Sequence, residues 1–253
     1  MWVELDEDMW FPSPYLGEED GFFAVGGDLS IPRLMLAYAN GIFPWYAYKK
    51  SEKPIWCCPL QRYVIKPAEV HVSHSMRTLM NKNRYRISFD EDFKGVLQNC
   101  MTVNSRDADG NAWLGTHIID AYEPLCQQGM AHSVEVWEDD RLVGGLYGVQ
   151  ISDRMFVGES MFSRVPSGSK LALIALARHL EEKGTEIIDC QCHTPHLESM
   201  GGRYMPYGQY ISILHADPDV ARITRVADNG FLYLRIGPKR CTSNRYLISD
   251  RNR

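Results

Sequence analysis

Segments in which apolar residues have the spacing of a helix alternate along the chain with short apolar segments typical of strands. This pattern predicts the order of helices and strands. In "DLSIPRLMLAYANG", residues 28–41, apolar side chains recur behind a serine and a proline and stop at a glycine. This order is typical of a helix with its N-cap at Ser30 and its end at Gly41. After the turn-like "GIFPWYAY", the segment "RYVIKP" has the length and β-branched content of a strand. We therefore place a domain boundary near residue 60.

The next segments alternate between helical and strand-like periods. Ser73 precedes "HSMRTLMNKN", in which apolar residues face one side and cationic residues the other, so we predict a short helix capped by that serine. The strand "YRISF" follows. Two further helices are expected in "DEDFKGVLQNCM" and from about Thr116 to Gln128, although Pro124 disfavours the end of the second.

Three strand-like segments come next: "HSVEVWE", "LVGGLYGVQI" and "RMFVGES". Short turns separate them, which predicts an antiparallel meander. The amphipathic helix "SGSKLALIALARHLEEKG" then ends at Gly184 and leads into the apolar strand "TEIIDCQ", forming a crossover. The predicted class is α+β. The element order resembles the GCN5-related N-acetyltransferase fold, a mixed sheet with flanking helices, here preceded by a small N-terminal α/β domain.

The loop before the crossover helix bears on one candidate function. In the acetyl-CoA users of that superfamily, a glycine-rich loop at this point holds pyrophosphate. Here the loop is "SRVPSGSK", with one glycine and one proline. It favours an anion but suits coenzyme A poorly. An acetyl-CoA-dependent N-acetyltransferase is therefore an alternative that this loop disfavours.

The composition is that of a globular protein with one large or two small domains. Of the 253 residues, 45% are hydrophobic, and the first residues lack the basic and apolar pattern of a secretory signal. No apolar run reaches the roughly 18 residues of a membrane span. The seven scattered cysteines favour reduced thiols and a cytoplasmic location. We expect a small domain at 1–60, a catalytic domain at 61–216 and a basic tail of uncertain structure at 217–253.

Charge is unevenly distributed along the chain. The net charge is −5, yet the segment from Lys49 to Arg86 holds nine basic and two acidic residues and is +7, which leaves −12 for the rest. A basic field inside an acidic protein can attract a polyanion, so the net charge does not exclude RNA. An ordinary solvated surface explains the same segregation equally well.

Three polar residues stand at the ends of two strands that the crossover would make neighbours. Glu159 follows Gly158 near the end of "RMFVGES", and Asp189 and Gln191 end "TEIIDCQ". Because side chains alternate along a strand, Asp189 and Gln191 are expected on one face and Cys190 on the other. Ligands commonly lie at such strand ends. A salt-bridged strand end explains Glu159 equally well, and a bulge at Gly158 would change its face.

Six separated blocks carry a resemblance to a known family. In order they are "GFFAVGGDLS", "LAYANGIFPWY", "HSVEVWEDDRLVGGLYGV", "GESMFSR", "SKLAL" and "IDCQ". From about Phe11 to Leu214 the chain closely resembles the leucyl/phenylalanyl-tRNA protein transferases. The resemblance implies an aminoacyl-tRNA donor carrying Leu, Phe or Met, and a protein acceptor with an N-terminal Arg or Lys that is marked for degradation in bacteria. It implies no metal and no coenzyme A.

The resemblance also implies roles for individual residues. Glu159, Asp189 and Gln191 take part in catalysis or hold substrate. The chemistry needs positioning, one deprotonation and stabilisation of an oxyanion, so no nucleophilic residue is required. For each apolar position, core packing is the alternative. The implied aminoacyl pocket is Leu146, Phe156, Leu173, Leu176 and Ile188, the adenosine contacts are Tyr38, Trp45 and Trp113, and the contacts to tRNA phosphates are Arg77, Lys82 and Arg84.

The chain departs from the family in places that matter for function. The helix after Ser73 is less basic than is usual there, with Thr78 and Asn81 among its outward positions, so fewer phosphate contacts are expected. Cys57 and Cys58 replace an aromatic residue and a serine, and with "CQCH" they match no usual zinc spacing. A noncatalytic tRNA- or degron-binding module is a third hypothesis. The order of donor preference and the oligomeric state stay open.

Overall fold

The computed structural model describes residues 2–45, 53–103, 117–227 and 230–234, which form a mixed α/β protein. Within those ranges no helix has both the length and the apolar character needed to cross a lipid bilayer. The strands are β1 (Val3–Leu5), β2 (Trp10–Phe11), β3 (Phe22–Gly26), β4 (Phe43–Trp45), β5 (Ile55–Cys57), β6 (Gln61–Ile65), β7 (Arg86–Phe89), β8 (Ala131–Glu138), β9 (Arg141–Ser152), β10 (Met155–Ser163), β11 (Ile187–Asp189), β12 (Arg203–Pro206), β13 (Thr224–Val226) and β14 (Leu232–Leu234). The helices are α1 (Ile31–Tyr38), α2 (His74–Asn81), α3 (Phe93–Val103), α4 (His117–Gln127), α5 (Gly168–Glu182), α6 (Pro195–Ser199), α7 (Tyr207–Leu214) and α8 (Pro218–Ala221).

The main sheet has seven strands in the order β12-β6-β11-β10-β9-β8-β7. Strands β8, β9 and β10 are successive antiparallel neighbours, so the predicted meander is confirmed. Strands β10 and β11 are parallel, and α5 makes the crossover between them. The register sets Asp189, the last residue of β11, opposite Val157. The crossover therefore brings Asp189 within two residues of Glu159 along the neighbouring strand.

The two faces of the main sheet support separate hydrophobic clusters. Along β10, Met155 and Val157 belong to one cluster and Phe156 to the other, as expected when successive side chains point to opposite faces. Helix α5 packs on the Phe156 face together with α2. Helices α1, α3, α4 and α7 pack on the opposite face. In β11, Ile188 belongs to the α5-face cluster, so Asp189 points to the opposite face, where the Tyr210 hydroxyl donates to it.

Two smaller sheets involve the N-terminal segment. One has the order β1-β3-β5-β4. In the other, β14 lies between β13 and β2, with Leu232 opposite Phe11. Beside α1, the Asn40 side-chain amide donates a hydrogen bond to the Thr224 hydroxyl at 2.6 Å. The segment after residue 216, whose structure the sequence left open, is thus part of the fold as far as Leu234.

The predicted N-cap residues of α1 and α2 lie at the observed starts of these helices, but only one of them makes a capping hydrogen bond through its side chain. The Ser73 hydroxyl accepts a hydrogen bond from the Met76 backbone N–H at 3.3 Å, which is the expected cap of α2. Ser30 occupies the N-cap position of α1, but its hydroxyl makes no hydrogen bond to that helix. Pro124 lies inside α4 without ending it. The Ser73 cap is therefore confirmed. For Ser30 the N-cap position is confirmed, but the capping hydrogen bond is not present.

These two serines form a matched pair for a stability test. Ser73→Ala is expected to lower the free energy of unfolding by about 1 kcal/mol, because one N–H at the start of α2 loses its acceptor. Ser30→Ala is expected to change it by less than about 0.5 kcal/mol, because no cap hydrogen bond is removed. Urea unfolding followed by circular dichroism measures both. Equal losses in the two variants would contradict the assignment of the cap.

Candidate active site

Glu159 lies at a β-bulge inside β10. Gly158 is opposite Gly148 and Ser160 is opposite Tyr147, so Glu159 is the extra residue between two consecutive pairs. The strand continues to Ser163, and the prediction that it ends beside Glu159 is wrong. The bulge that Gly158 indicates in the sequence, by contrast, is present. Because the extra residue is unpaired in the ladder, its side chain can leave the regular alternation of the strand.

The Glu159 carboxyl group is held by three side chains. The Tyr38 hydroxyl donates to Oε1 at 2.8 Å, the Tyr122 hydroxyl donates to Oε2 at 3.1 Å, and the Gln191 side-chain amide donates to Oε1 at 3.1 Å. The two tyrosine hydroxyls also lie 2.5 Å apart. The hydroxyls and the carboxyl thus make three mutual contacts, but two phenols supply only two protons. A proton on Glu159 completes the ring of hydrogen bonds.

The pKa of Glu159 agrees with this count of protons. Burial raises it to about 7 from an ordinary value of 4.5, and the hydrogen bonds from Tyr38 and Tyr122 act in the opposite direction without cancelling the effect. The carboxyl group is half-buried. Near neutral pH it is therefore present in both its neutral and its charged form. Such a group can exchange a proton with a substrate at little cost in free energy.

Asp189 and Gln191 meet in a way that strand alternation does not describe. Asp189 ends β11, whereas Gln191 lies beyond it with φ at +64°, in the left-handed region. The expectation that both residues share one strand face is therefore wrong. Instead, the Gln191 backbone N–H donates to Asp189 Oδ1 at 2.8 Å, and this turn directs the Gln191 side chain to Glu159. The three predicted residues form one connected network.

Arg62 holds the other side of Asp189, and the sequence analysis did not identify it as a site residue. Its Nε lies 3.0 Å from both carboxylate oxygens, and the Tyr210 hydroxyl donates to Asp189 Oδ2 at 2.9 Å. The guanidinium group lies between the rings of Phe43 and Tyr210, at 4.9 and 4.7 Å, and donates to the Gly41 carbonyl. Arg62 and Asp189 are both essentially inaccessible to solvent. The sequence feature that could have identified Arg62 is that it is the single charged residue in "RYVI".

Buried charge dominates the electrostatics at this end of the network. The Asp189 carboxylate raises the pKa of the Arg62 guanidinium further, against the effect of burial, so the guanidinium stays charged. Burial and the same carboxylate raise the pKa of Tyr210, which stays a neutral hydroxyl that can donate. Asp189 therefore has a charged and a neutral donor on one side and the Gln191 backbone on the other. This arrangement holds the Asp189 carboxylate in place, and Asp189 in turn holds the Gln191 backbone N–H.

The five residues of the implied aminoacyl pocket are brought together. All lie in the cluster on the α5 face of the main sheet, and each is at most 3% exposed. The three implied adenosine contacts, in contrast, have different surroundings. Tyr38 is 1% exposed and has its hydroxyl on Glu159, so it belongs to the carboxyl network rather than to an open stacking surface. Trp45 is half-buried at the end of β4, edge-on to Phe22. Trp113 lies outside the described residues.

Comparison with known proteins identifies the family. The profile described as leucyl/phenylalanyl-tRNA protein transferase matches residues 64–215, and the profile of its N-terminal domain matches residues 27–60. The chain is 46% identical to the leucyl/phenylalanyl-tRNA–protein transferase of Syntrophobacter fumaroxidans, over 83% of this chain and 88% of that one. It is 47% identical to the protein of the same name in Nitrosomonas eutropha, over 78% and 82%. The chain belongs to the leucyl/phenylalanyl-tRNA protein transferase family.

Two solved structures that resemble this transferase share much less of its sequence. A conserved protein of unknown function from Bacteroides thetaiotaomicron is 10% identical, with a TM-score of 0.40 over 62% of this chain and 55% of that one. L-PGS from Bacillus licheniformis is 11% identical, with a TM-score of 0.37 over 67% and 52%. At TM-scores below 0.5, neither likeness supports a conclusion about the transferase.

The basic segment of the transferase is less open than its composition suggests. Within it, Arg62 is buried, Lys53 pairs with Glu4, and Arg86 pairs with Glu91. The surface field is therefore weaker than the formal +7, and part of Lys49 to Arg86 lies outside the described residues.

The three implied phosphate contacts have different surroundings. Arg84 pairs with Glu138, whose carboxylate raises the pKa of that guanidinium. Lys82 is exposed at the C-cap of α2, and Arg77 is exposed within that helix. Of the three, Arg84 would have to exchange a protein carboxylate for an RNA phosphate, whereas Arg77 has no ion pair among the described residues.

Three cysteines close to the network, Cys57, Cys58 and Cys190, are free thiols. Burial raises the pKa of Cys58 to about 12 and raises that of Cys57 and Cys190 further, so all three stay protonated. In the part of the chain that the structure describes, no three His, Cys, Asp or Glu side chains are grouped so as to hold a metal ion. Within the "CQCH" segment, the Gln191 side chain contacts Glu159.

Proposed function

We propose that the protein transfers Leu, Phe or Met from aminoacyl-tRNA to the N-terminal Arg or Lys of other proteins, which marks them for degradation. Family membership supports the reaction class. The structural observation that carries the proposal is the chain of contacts from Arg62 through Asp189 and Gln191 to Glu159. It places a carboxyl group with a pKa near neutrality beside a fixed amide. We also propose a cytoplasmic location, where charged tRNA is made.

The domain arrangement that goes with this function is also a proposal. Residues 61–216 would form a catalytic domain of GCN5-related N-acetyltransferase type, with 1–60 as a small N-terminal domain and 217–253 as a basic tail. The antiparallel meander and the α5 crossover to a parallel strand support the fold type. The pairing of β14 with β2 means that the tail, up to residue 234, packs with the N-terminal domain.

The proposed reaction is the attack of an amine on an activated ester. The α-amine nitrogen forms a bond to the carbonyl carbon of the donor, and the bond between that carbon and the ribose oxygen breaks. The proton lost by the amine finally resides on the ribose oxygen. An α-ammonium has a pKa of about 7.7 to 8.0, so only a modest push is needed near neutral pH. Positioning and proton exchange are therefore sufficient chemistry.

Each network residue has a distinct task in this proposal. Charged Glu159 attracts and aligns the α-ammonium or the cationic side chain of the acceptor, and its pKa lies close enough to that of the ammonium to take a proton from it. The Gln191 amide holds the reacting amine or carbonyl, since a carboxamide cannot act as an ordinary base. Asp189 is a positioning residue that orients Gln191. Arg62 positions Asp189.

The donor is proposed to occupy the α5 face and the neighbouring loops. Its apolar side chain would enter the cluster around Leu146, Phe156 and Leu173, which excludes water from the ester. The terminal adenosine would stack on Trp45, with Trp113 as a second contact. Stacking of a base on an aromatic ring is worth roughly 1 to 3 kcal/mol and reads no sequence.

One assay tests the proposed reaction. The purified protein is mixed with tRNA charged separately with Leu, Phe or Met and with a peptide that begins with Arg, and the peptide mass is measured. We expect a gain of one donor residue. A peptide of the same sequence with an acetylated N-terminus should gain nothing, because its nitrogen is not nucleophilic. No gain with any donor at low salt, with charged tRNA intact, would contradict the proposal.

A further inference from the structure

A polar groove separates helices α2 and α5 on the α5 face of the sheet. Its volume is about 520 Å³, and it is lined by Arg77, Met80, Asn81, Asn83 and Arg178. Arg77 and Arg178 come from the two different helices and are both exposed. The lining contains two guanidinium groups and two carboxamides but no carboxylate. We name these five residues the α2–α5 groove.

The two cationic groups of the α2–α5 groove have no acidic partner in the part of the chain that the structure describes. Among the described residues, neither Arg77 nor Arg178 takes part in an ion pair, in contrast to Arg84, Arg86 and Arg141, which all pair with glutamates. Glu181 and Glu182 follow Arg178 on the same helix without pairing with it. Two unpaired guanidinium groups facing one cavity create a site for an anion.

The chemistry of the groove matches a nucleic-acid phosphate. A guanidinium group presents parallel N–H donors that fit two phosphate oxygens, and asparagine amides add neutral donors. Asn83 has φ at +48°, a left-handed conformation that ends α2 and that asparagine tolerates better than most residues. Met80 supplies an apolar wall. No acid in the lining repels the phosphate, although the protein as a whole is acidic.

We propose that Arg178 on α5 and Arg77 on α2 bind the same backbone phosphate of the tRNA donor in the α2–α5 groove. This inference rests on the proposed function for the identity of the RNA. It adds a cation from a second helix, which offsets the reduced number of basic residues on α2. Since α5 also carries Leu173 and Leu176, the helix would contact both the acceptor end and the backbone of one donor.

Binding of deacylated, fluorescein-labelled tRNA tests the groove without any need for transfer activity. Fluorescence anisotropy is measured at several KCl concentrations for the full chain, Arg77→Gln, Arg178→Gln and the double variant. Each single variant is expected to weaken binding about fivefold and to reduce the slope of log K against log salt by about 1. If both arginines hold one phosphate, the double variant loses little more than either single variant.

Two controls make the result specific. Arg222→Gln removes the same charge from the C-cap of α8, where Arg222 is exposed and paired with Asp219, and should leave tRNA binding unchanged. Val220 of α8 packs in the cluster on the other face of the sheet. Transfer from aminoacyl-adenosine, a donor without backbone phosphates, should be unchanged in Arg178→Gln.

Three outcomes would overturn the groove proposal. They are equal binding in Arg178→Gln and Arg222→Gln, additive losses in the double variant, and an equal loss with aminoacyl-adenosine. Failure of the wild-type protein to transfer an amino acid while it binds tRNA normally would count against the proposed function alone.

Discussion

Glu159→Gln is expected to lower kcat for aminoacyl transfer roughly a hundredfold, the usual scale for loss of a positioned proton acceptor. The variant keeps the shape of the side chain but can neither carry a negative charge nor accept a proton. Its oxygen can still receive Tyr38 and Gln191, and its NH₂ group can donate to Tyr122. This replaces the proton that the neutral carboxyl supplies to the same ring of contacts.

Glu159→Gln should also change the way in which the stability of the protein depends on pH. The pKa of Glu159 is about 7 in the folded protein and about 4.5 when the group is fully solvated. Between these values the folded protein binds a proton that the unfolded chain has released, so the contribution of this group to stability falls as pH rises through that window. Glu159→Gln should lose this pH dependence. It should melt at a higher temperature than the wild-type protein at pH 8 and show a smaller difference at pH 5.

Calorimetry at the two pH values and turnover on an Arg-terminated peptide together check this prediction. The matched control is Glu186→Gln, which neutralises an exposed carboxylate paired with Arg154 just before β11 and should leave both quantities unchanged. Unchanged turnover in Glu159→Gln would show that the carboxyl group takes no part in the mechanism. Lower stability at pH 8 would instead contradict its raised pKa.

Arg62→Met is expected to destabilise the protein by about 3 to 5 kcal/mol, because it leaves the carboxylate of Asp189 buried without its charged partner. Methionine fills much of the space between the Phe43 and Tyr210 rings but cannot donate a hydrogen bond. Turnover should also fall in the fraction that remains folded, since Asp189 would no longer hold Gln191 in a fixed orientation. Urea unfolding and kcat measured below the unfolding transition report these two effects separately.

A double variant distinguishes a lost charge pair from poor packing. In Arg62→Met with Asp189→Asn, neither member of this pair carries a buried charge, so we expect most of the lost stability to return. Activity should not return, because the rigid support of Gln191 is still weakened. Destabilisation that is simply additive in the double variant would show that shape around Phe43 and Tyr210, and not the ion pair, explains the loss.

The sequence predicted the parts of the fold that depend on local periodicity. The meander, the α5 crossover and the Ser73 cap each follow from side-chain spacing within one segment, and the structure shows them at nearly the predicted residues. Convergence of Glu159 and Asp189 also followed, because a crossover between parallel strands leaves few alternatives. Assignment of chemical roles still rested on the resemblance to the family.

The sequence could not predict contacts that depend on how distant segments meet. Arg62 belongs by sequence to the basic segment, and its isolation in "RYVI" does not reveal that its strand lies beside Asp189. The left-handed turn at Gln191 depends on a hydrogen bond to Asp189 rather than on a glycine, so no turn residue marked it. Tyr122 reaches Glu159 only because α4 packs on the face opposite α5.

The pairing of β14 with β2 sets the order in which this protein can mature. Trp10 and Tyr233 are opposite each other across a separation of roughly 220 residues, and contacts of such high sequence separation form late in folding. Helix α1 packs against β14, and Asn40 beside it bonds to Thr224. The same helix ends at Tyr38, which holds Glu159.

During synthesis, α1 therefore lacks its last neighbours until residue 234 has left the ribosome, even though the main sheet is complete some 30 residues earlier. A nascent chain can hold a folded main sheet and its α5 layer while the Glu159 pocket is still loose. The ability to catalyse transfer would then be gained in one late step of translation, rather than gradually as the nascent chain becomes longer.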